Sequence, residues 1–270
     1  MEDLIFIGKP LIEFIKKQVT KKYYTHITPG RSIQHNLQDI IEGILYICKT
    51  GTQIRFVNYK GIAGSALYYH FRKWTIGGVF SDCWNKVYDK YQKNCKHNKN
   101  LKHLSIDCTK IKSINGIDCI GRNSTDRGRN GTQLSVIVDL IGVPVGYYLD
   151  PANVHDTKMM HNTFKNKIYK RKSRSKLYGD KGYSIKNCVK IAEDYNCTLL
   201  CENKINAVNK LFPDNNKTVK DIRKHRYVVE ASFSWMKGFR KIILRYDRYI
   251  DNFEAYILIA FSLVTCKKLI

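Results

Sequence analysis

The sequence contains one stretch from which the rest can be interpreted: Arg223-Lys-His-Arg-Tyr-Val-Val-Glu-Ala-Ser-Phe-Ser-Trp-Met-Lys-Gly-Phe-Arg240. At about 100° per residue, Arg226, Glu230 and Lys237 fall within an arc of about 40°. The other side of the helix is mostly apolar and consists of Val228, Val229, Ser232, Trp235, Met236, Phe239, Ile242 and Ile243. The pattern predicts a helix that packs by one face and presents a carboxylate between two cations. An ordinary amphipathic helix with solvated charges fits the same pattern.

The composition indicates a polyanion partner. The chain has 270 residues, with 47 Lys and Arg against 23 Asp and Glu, and a formal net charge of +24 that is spread along its length. A field of this sign favours nucleic acid. The nine cysteines form no Cys-x-x-Cys pair, which indicates reduced, buried thiols and an intracellular protein. The most apolar run, Ala255 to Cys266, is shorter than the roughly 20 residues of a membrane-spanning helix. It predicts a core helix instead.

Residues 1–95 have helical periodicity and form the first predicted domain. Its helix candidates are Leu37 to Lys49, Ala63 to Trp74 and Val79 to Tyr91. The second candidate has Leu67, Tyr68, Phe71 and Trp74 on its inner side and His70, Arg72 and Lys73 on its outer side. Short helices with a basic second member indicate a helix-turn-helix module that binds DNA through these three cations. A plain helical packing domain fits the pattern equally well.

The periodicity changes after Asn94 to Lys102, a polar, basic segment that we interpret as a linker. Alternating strands are predicted at Leu104 to Lys112, Gln133 to Asp139 and Val143 to Leu149, the last two forming a hairpin around Ile141-Gly142. Shorter strands at 175–179 and 198–201 alternate with helices at 156–167 and 185–195, and the helix described first follows them. The order indicates an α/β domain on a mixed sheet, over residues 96–270.

Three acids of this second domain are candidates for chemistry. Asp107 lies in the middle of an apolar strand, Asp180 at a strand end, and Glu230 on the polar face of the last helix. The three carboxylates converge if the strands are neighbours and the helix crosses them. Oxygen ligands suit Mg²⁺ or Mn²⁺, and two such ions roughly 3.5–4 Å apart can promote phosphodiester cleavage. Alternatively, Asp180 is a turn residue, and Asp107 or Asp139 is a buried, hydrogen-bonded acid.

Five motifs in order carry a resemblance to a known family. They are Asp107-Cys-Thr-Lys-Ile-Lys, Val138-Asp-Leu-Ile-Gly-Val-Pro144, Asn153-Val-His-Asp156, Gly179-Asp-Lys-Gly-Tyr183, and Arg226-x3-Glu230-x6-Lys237 followed by Phe239-Arg-Lys-Ile-x2-Arg-Tyr-Asp247. Together they resemble the DDE transposases of the insertion-sequence 4/5 type, over about residues 35–260. The chain departs from that pattern at Arg223, where the family has Tyr, and at Ala231, where Arg often follows the glutamate.

The resemblance implies a fold, a reaction and a site. The fold would be a ribonuclease-H-like catalytic domain, preceded by the small all-α helix-turn-helix-like domain. Asp107, Asp180 and Glu230 would bind the metal, Mg²⁺ or Mn²⁺, and Arg226, Lys237 and Arg240 would contact DNA. The expected protein is a transposase that acts on double-stranded DNA as a homodimer or higher oligomer, with no membrane association. A metal-dependent nuclease of the same fold and a non-catalytic DNA-binding protein derived from a transposase are the alternatives.

Overall fold

The computed structural model of the chain describes residues 2–23, 35–94, 97–203, 211–213 and 215–269. Its α-helices, in chain order, are α1 (Glu2–Tyr23), α2 (Leu37–Thr50), α3 (Gly64–Ile76), α4 (Val79–Asn94), α5 (His97–Asn100), α6 (Asp156–Lys165), α7 (Lys186–Asp194), α8 (Asn216–Lys237) and α9 (Ile250–Lys267). Its strands are β1 (Asn58–Tyr59), β2 (Ile62–Ala63), β3 (His103–Ser113), β4 (Gly121–Asn123), β5 (Arg129–Asp139), β6 (Pro144–Pro151), β7 (Ser175–Tyr178), β8 (Cys197–Leu200) and β9 (Leu244–Arg245). No helix of the described residues is long and apolar enough to cross a membrane.

The chain forms two compact units that differ from the predicted domains at one end. The first unit comprises residues 1–94 and 236–270, and the second comprises residues 95–235. The prediction had placed residues 96–270 together. The last 35 residues pack in the first unit because α9, apolar on every side, needs a helical core around it. Part of the predicted linker, residues 95–96, lies outside the described residues.

The first unit is a helical bundle around α9. Fourteen of the 18 residues of α9 are buried, and the helix packs against α1, α3 and α4. Phe71 of α3 stacks on Tyr256 at 4.4 Å between ring centroids, and Trp84 of α4 lies 5.6 Å from Phe261. The predicted core helix at Ala255 to Cys266 is therefore confirmed. Tyr68, which was predicted to face inward, is 41% exposed.

The second unit is a mixed sheet with helices on both faces. β5 pairs antiparallel with β3 on one side and with β6 and β4 on the other, and β3, β7 and β8 run parallel to each other. The main order is therefore β6-β5-β3-β7-β8. The Ser105 hydroxyl donates to the His225 carbonyl of α8, whereas Ser135 accepts a hydrogen bond from Thr163 of α6, so the two helices cover opposite faces. These findings confirm the predicted α/β class.

The turn of the β5–β6 hairpin shows why Asp139 is a structural acid. Asp139 is fully buried, and its Oδ1 accepts from the backbone N–H groups of Ile141 and Val143. Gly142 follows with φ +86°, and the Ser232 hydroxyl of α8 donates to its carbonyl oxygen at 2.9 Å. The chain needs glycine there, because a Cβ would lie 2.6 Å from the Ser232 hydroxyl oxygen.

The cysteines are free thiols wherever the structure describes them. Cys48, Cys83 and Cys266 of the first unit are buried, as are Cys188, Cys197 and Cys201 of the second. Burial raises the pKa of the Cys83 and Cys266 thiols to about 12 and that of Cys197 to about 11. Cys95 lies outside the described residues. The thiols thus pack as small apolar side chains.

Candidate active site

Two of the three predicted acids are neighbours on the sheet. Asp107 lies in the middle of β3, and Asp180 is the second residue after β7. The parallel register pairs Ser105 with Tyr178, so its continuation by two residues places Asp180 beside Asp107 on the face that α8 covers. The second strand of the parallel pair therefore carries its acid to the position that the sequence predicted.

Each of these carboxylates makes one local hydrogen bond. Asp107 Oδ1 accepts from the N–H of Cys108 at 2.8 Å, and Asp180 Oδ1 accepts from the N–H of Gly182 at the same distance. A side chain at Gly182 would collide with the Asp180 carboxylate. Within the described part of the chain, the second oxygen of each carboxylate has no hydrogen-bond partner. Asp180 is thus a turn residue, as the alternative held, and still has a free oxygen.

The carboxyl group of Asp107 is costly to ionise in its surroundings. Its pKa is raised from 3.8 to about 6, chiefly by burial and also by the nearby charges of Asp180 and Asp156. The N–H of Cys108 and the charge of Arg226 act in the opposite direction. Ionising a partly buried acid beside another acid is costly, so this position favours either a proton or a bound cation.

Glu230 does not stand beside the other two acids in this structure. It lies on α8 with its side chain 52% exposed, and its Oε1 is 3.4 Å from Arg226 Nη2, one helical turn earlier. Arg226 is near enough to Asp107 to lower its pKa. The carboxylate of Glu230 therefore approaches the pair through an arginine, and not by direct contact.

The donor set can be compared with what a divalent metal requires. Over residues 2–23, 35–94, 97–203, 211–213 and 215–269, no three His, Cys, Asp or Glu side chains are grouped closely enough to hold an ion as they stand. Asp107 and Asp180 nevertheless fit a hard cation, because they are adjacent oxygen donors with too little positive charge around them. Glu230, which is paired with Arg226, is not part of this group.

The base of α8 is attached to the sheet by a stack of three rings. His225 lies parallel to Tyr178 at 4.2 Å and to His103 at 4.6 Å. The Tyr178 hydroxyl donates to Asp221 Oδ2 and lies 3.0 Å from His103 Nδ1. Burial lowers the pKa of His103. The stack fixes the helix that carries Arg226 and Glu230. Local sequence patterns do not indicate this stack, because its three rings come from three separate elements.

A polar network on the opposite face of the sheet was also missed. The buried Gln133 of β5 donates to Asp156 Oδ1 at the start of α6. The Cys108 sulfur lies 3.4 Å from the Tyr183 hydroxyl oxygen. Burial raises the pKa of Tyr183 well above its ordinary value. Asp156 and Tyr183 both belong to motifs of the resemblance. In this structure they hold β3, β5 and α6 together.

The cations predicted on α3 are engaged within the first unit. Arg72 donates to Asn252 Oδ1 at 2.9 Å and lies 3.9 Å from Asp251. The Lys73 ammonium lies 4.6 Å from the centre of the Tyr23 ring. His70 is partly buried, which lowers its pKa. The three side chains, predicted on the outer side of this helix, are half-buried here and make contacts within the first unit.

The remaining cations of the last motif divide into exposed and buried ones. Lys237 and Arg240, both in the first unit, are exposed. Lys241 and Asp247 form a buried ion pair at 3.3 Å, and the fully buried Arg245 donates to the carbonyl oxygens of Asp247 and Arg248. Much of the predicted motif after Lys237 is thus structural.

Arg223, one of the two departures from the family pattern, also has a structural role. Its guanidinium forms two hydrogen bonds to the Glu202 carboxylate, at 2.9 and 3.2 Å. The pKa of Glu202 is lowered chiefly by these bonds. Arg223 therefore fastens α8 to the segment that follows β8.

The chain is similar to known transposases. The family model described as the transposase DDE domain matches residues 103–265. A putative transposase for insertion sequence element IS402, from Burkholderia cepacia, is 24% identical over 156 residues, which are 55% of this chain and 69% of the relative. The piggyBac transposase in a synaptic complex with hairpin DNA is 11% identical with a TM-score of 0.55, over 96% of this chain and 71% of that one. The catalytic domain of Mos1 mariner transposase is 12% identical with a TM-score of 0.29, over 59% of this chain and 89% of that one.

The fold is that of the ribonuclease-H-like domains of transposases, with a helical region before it, as the sequence predicted. Since the family model covers more than half of the residues, the chain belongs to the transposases with a DDE domain. Proteins of this family generally depend on a divalent metal.

Proposed function

We propose that this protein is a DNA transposase that cleaves the ends of its element and transfers the resulting 3′-hydroxyl strands to target DNA. The observation that carries the proposal is the placement of Asp107 and Asp180 side by side on parallel strands of a DDE-family fold. Double-stranded DNA would be bound at the element ends and at the target. The protein would act as a homodimer or higher oligomer on DNA, inside the cell, because both ends must be held together.

Asp107, Asp180 and Glu230 would hold the metal, Mg²⁺ or Mn²⁺. When bound, such ions make a water or a 3′-hydroxyl a better nucleophile and stabilise the leaving oxygen. The contribution of the chain itself would be to hold the phosphate in position for attack. Glu230 can join the site readily, because an exposed Arg–Glu pair one turn apart contributes only about 0.3–0.5 kcal/mol.

The cations would neutralise phosphate charge. Arg226, once released from Glu230, and Lys237 and Arg240 would contact the strand being cut. His70, Arg72 and Lys73 remain proposed contacts of the helix-turn-helix-like region. Each would exchange an internal contact for DNA, so we expect these three to contribute less than the exposed cations.

A strand-transfer assay on DNA from the element ends tests the proposal. The wild type should cut and join, whereas Asp107→Ala, Asp180→Ala and Glu230→Ala should lose nearly all cleavage while DNA affinity stays almost intact. Asp139→Ala is the matched control, because its carboxylate closes the turn between β5 and β6. It should lower stability but keep activity per folded molecule. Cutting without joining would support the nuclease alternative, and binding without cutting the non-catalytic one.

Salt dependence separates the roles of the cations. Arg226→Ala and Lys237→Ala should each lower the slope of log affinity against log salt by about 0.9, the value for one phosphate contact on duplex DNA. If both slopes equal that of the wild type, these residues do not contact phosphate.

A further inference from the structure

A groove of about 670 Å³ lies at the β8 end of the second unit, between the sheet and α8. Its cations come from two elements: Lys176 from β7, and Lys217, Lys220 and Lys224 from the first half of α8. The remaining lining residues are Thr198, Leu200, Pro213, Thr218 and Asp221. Two of these, Leu200 and Pro213, have apolar side chains, and none is aromatic.

This lysine groove carries four cations that no acid among the described residues neutralises. All four lysines are exposed, and none forms an ion pair with any acid that the structure describes. The acid among the lining residues, Asp221, directs its carboxylate oxygens elsewhere. Its Oδ2 accepts from the Tyr178 hydroxyl, and its Oδ1 lies 3.3 Å from His225 Nδ1. The groove therefore presents a concentrated positive charge to solvent.

The position of the lysines on α8 separates them from the candidate active site. At about 100° per residue, Lys217, Lys220 and Lys224 fall within an arc of about 60°. On the same helix, Arg226 lies about 150° and Glu230 about 110° from the centre of that arc. The lysines and the Arg226–Glu230 pair therefore lie on different sides of α8.

Lys217 stands in the first turn of α8. A cation near a helix N-terminus is opposed by the positive end of the helix dipole. Lys217 therefore does not stabilise the helix on which it stands. The grouping of the three α8 lysines with Lys176, across from the Thr198 and Thr218 hydroxyls, is suited to a row of phosphates, because lysines and hydroxyls are the side chains that contact DNA backbones.

We propose that the lysine groove binds the sugar-phosphate backbone of a DNA duplex outside the scissile strand. The contact would be independent of base sequence, since lysines on phosphates carry no sequence information. It would hold the flanking or target duplex while the carboxylates act on the cleavage point. The inference rests on the proposed function, because it takes DNA as the partner.

The test compares two triple variants of the full-length protein. One is Lys217→Gln, Lys220→Gln and Lys224→Gln. The control, Lys165→Gln, Lys186→Gln and Lys190→Gln, removes the same charge from exposed lysines of α6 and α7. Affinity for a mixed-sequence duplex is measured at several salt concentrations, without divalent metal, so that cleavage plays no part.

The groove variant should lower the salt slope by about 2.7, which corresponds to three phosphate contacts, and the control should leave it close to the wild-type value. The melting temperature of the groove variant should be unchanged or slightly raised, because Lys217→Gln removes an unfavourable charge from the first turn of α8. If the salt slopes of the wild type and the groove variant are equal, the lysine groove does not bind DNA. The same conclusion follows if the groove variant and the control variant lower the salt slope equally. A wild type that does not bind DNA at all would instead refute the proposed function.

Discussion

Replacing Asp107 by Asn should stabilise the metal-free protein above pH 7 and have little effect near pH 4. The pKa of the Asp107 carboxyl is about 6 in the folded protein, against an ordinary value of 3.8. The folded protein therefore holds this proton more tightly than the unfolded chain, and stability is lost as the pH rises from about 4 to about 6. At about 1.4 kcal/mol per pKa unit, the loss is at most about 3 kcal/mol. Asparagine avoids it and can still accept the N–H of Cys108.

Urea denaturation in EDTA, at several values between pH 4 and pH 8, measures the difference in unfolding free energy. The variant should exceed the wild type by about 2–3 kcal/mol above pH 7 and by under about 1 kcal/mol at pH 4. Added MgCl₂ should then stabilise the wild type and leave the variant unchanged, since only the carboxylate binds the ion. A difference that is constant with pH, or that has the opposite sign above pH 7, would show that Asp107 is not in the environment described.

Three further predictions concern the framework. Gly142→Ala should lower the free energy of unfolding by at least about 2 kcal/mol, and Gly128→Ala by about 1 kcal/mol, as measured by chemical denaturation. Both glycines have a positive φ, but only at Gly142 would the added Cβ collide with a neighbour, Ser232. Lys241→Met should lower the free energy of unfolding by about 3–5 kcal/mol at pH 7, because it leaves the Asp247 carboxylate buried without its partner. The loss should shrink as the pH falls, since burial raises the pKa of Asp247. Removing both charges should restore most of the lost stability. Deleting α9 should abolish the cooperative unfolding transition of the first unit in circular dichroism, whereas deleting only residues 268–270 should not.

Periodicity predicted most elements of the fold because it reports directly on which side of an element is buried. The helical spacing of α2 and α4 places the apolar residues where the structure buries them. The alternation along β3 and β5 located the strands but not a buried side, because most of β5 is buried on both faces. The neighbouring positions of Asp107 and Asp180 also follow, since acids at corresponding positions of parallel strands meet on one face. Asp139 shows the limit: a strand-end acid serves equally well as a ligand or as a turn acceptor, and only its contacts decide.

The features that the sequence did not predict depend on packing between residues far apart in the chain, and local sequence patterns do not report such packing. The apolar pattern of α9 fits any core, so its place in the first unit could not be predicted. The spacing of Arg226 and Glu230 fits an ion pair one helical turn apart. It fits equally well an arginine that contacts DNA and a glutamate that binds metal. Similarly, Arg72 is outward by helical spacing alone, but Asn252, 180 residues further along the chain, covers it.

The buried thiols allow local unfolding of the protein to be measured by chemical modification. A thiol reagent can modify Cys266 or Cys201 only when the surrounding segment opens, because the reactive thiolate is both sterically shielded and suppressed by the raised pKa. The buried cysteines are divided between the two units. Mass spectrometry of the modified sites over time would therefore rank the opening rates of the helical bundle and of the sheet without any engineered label.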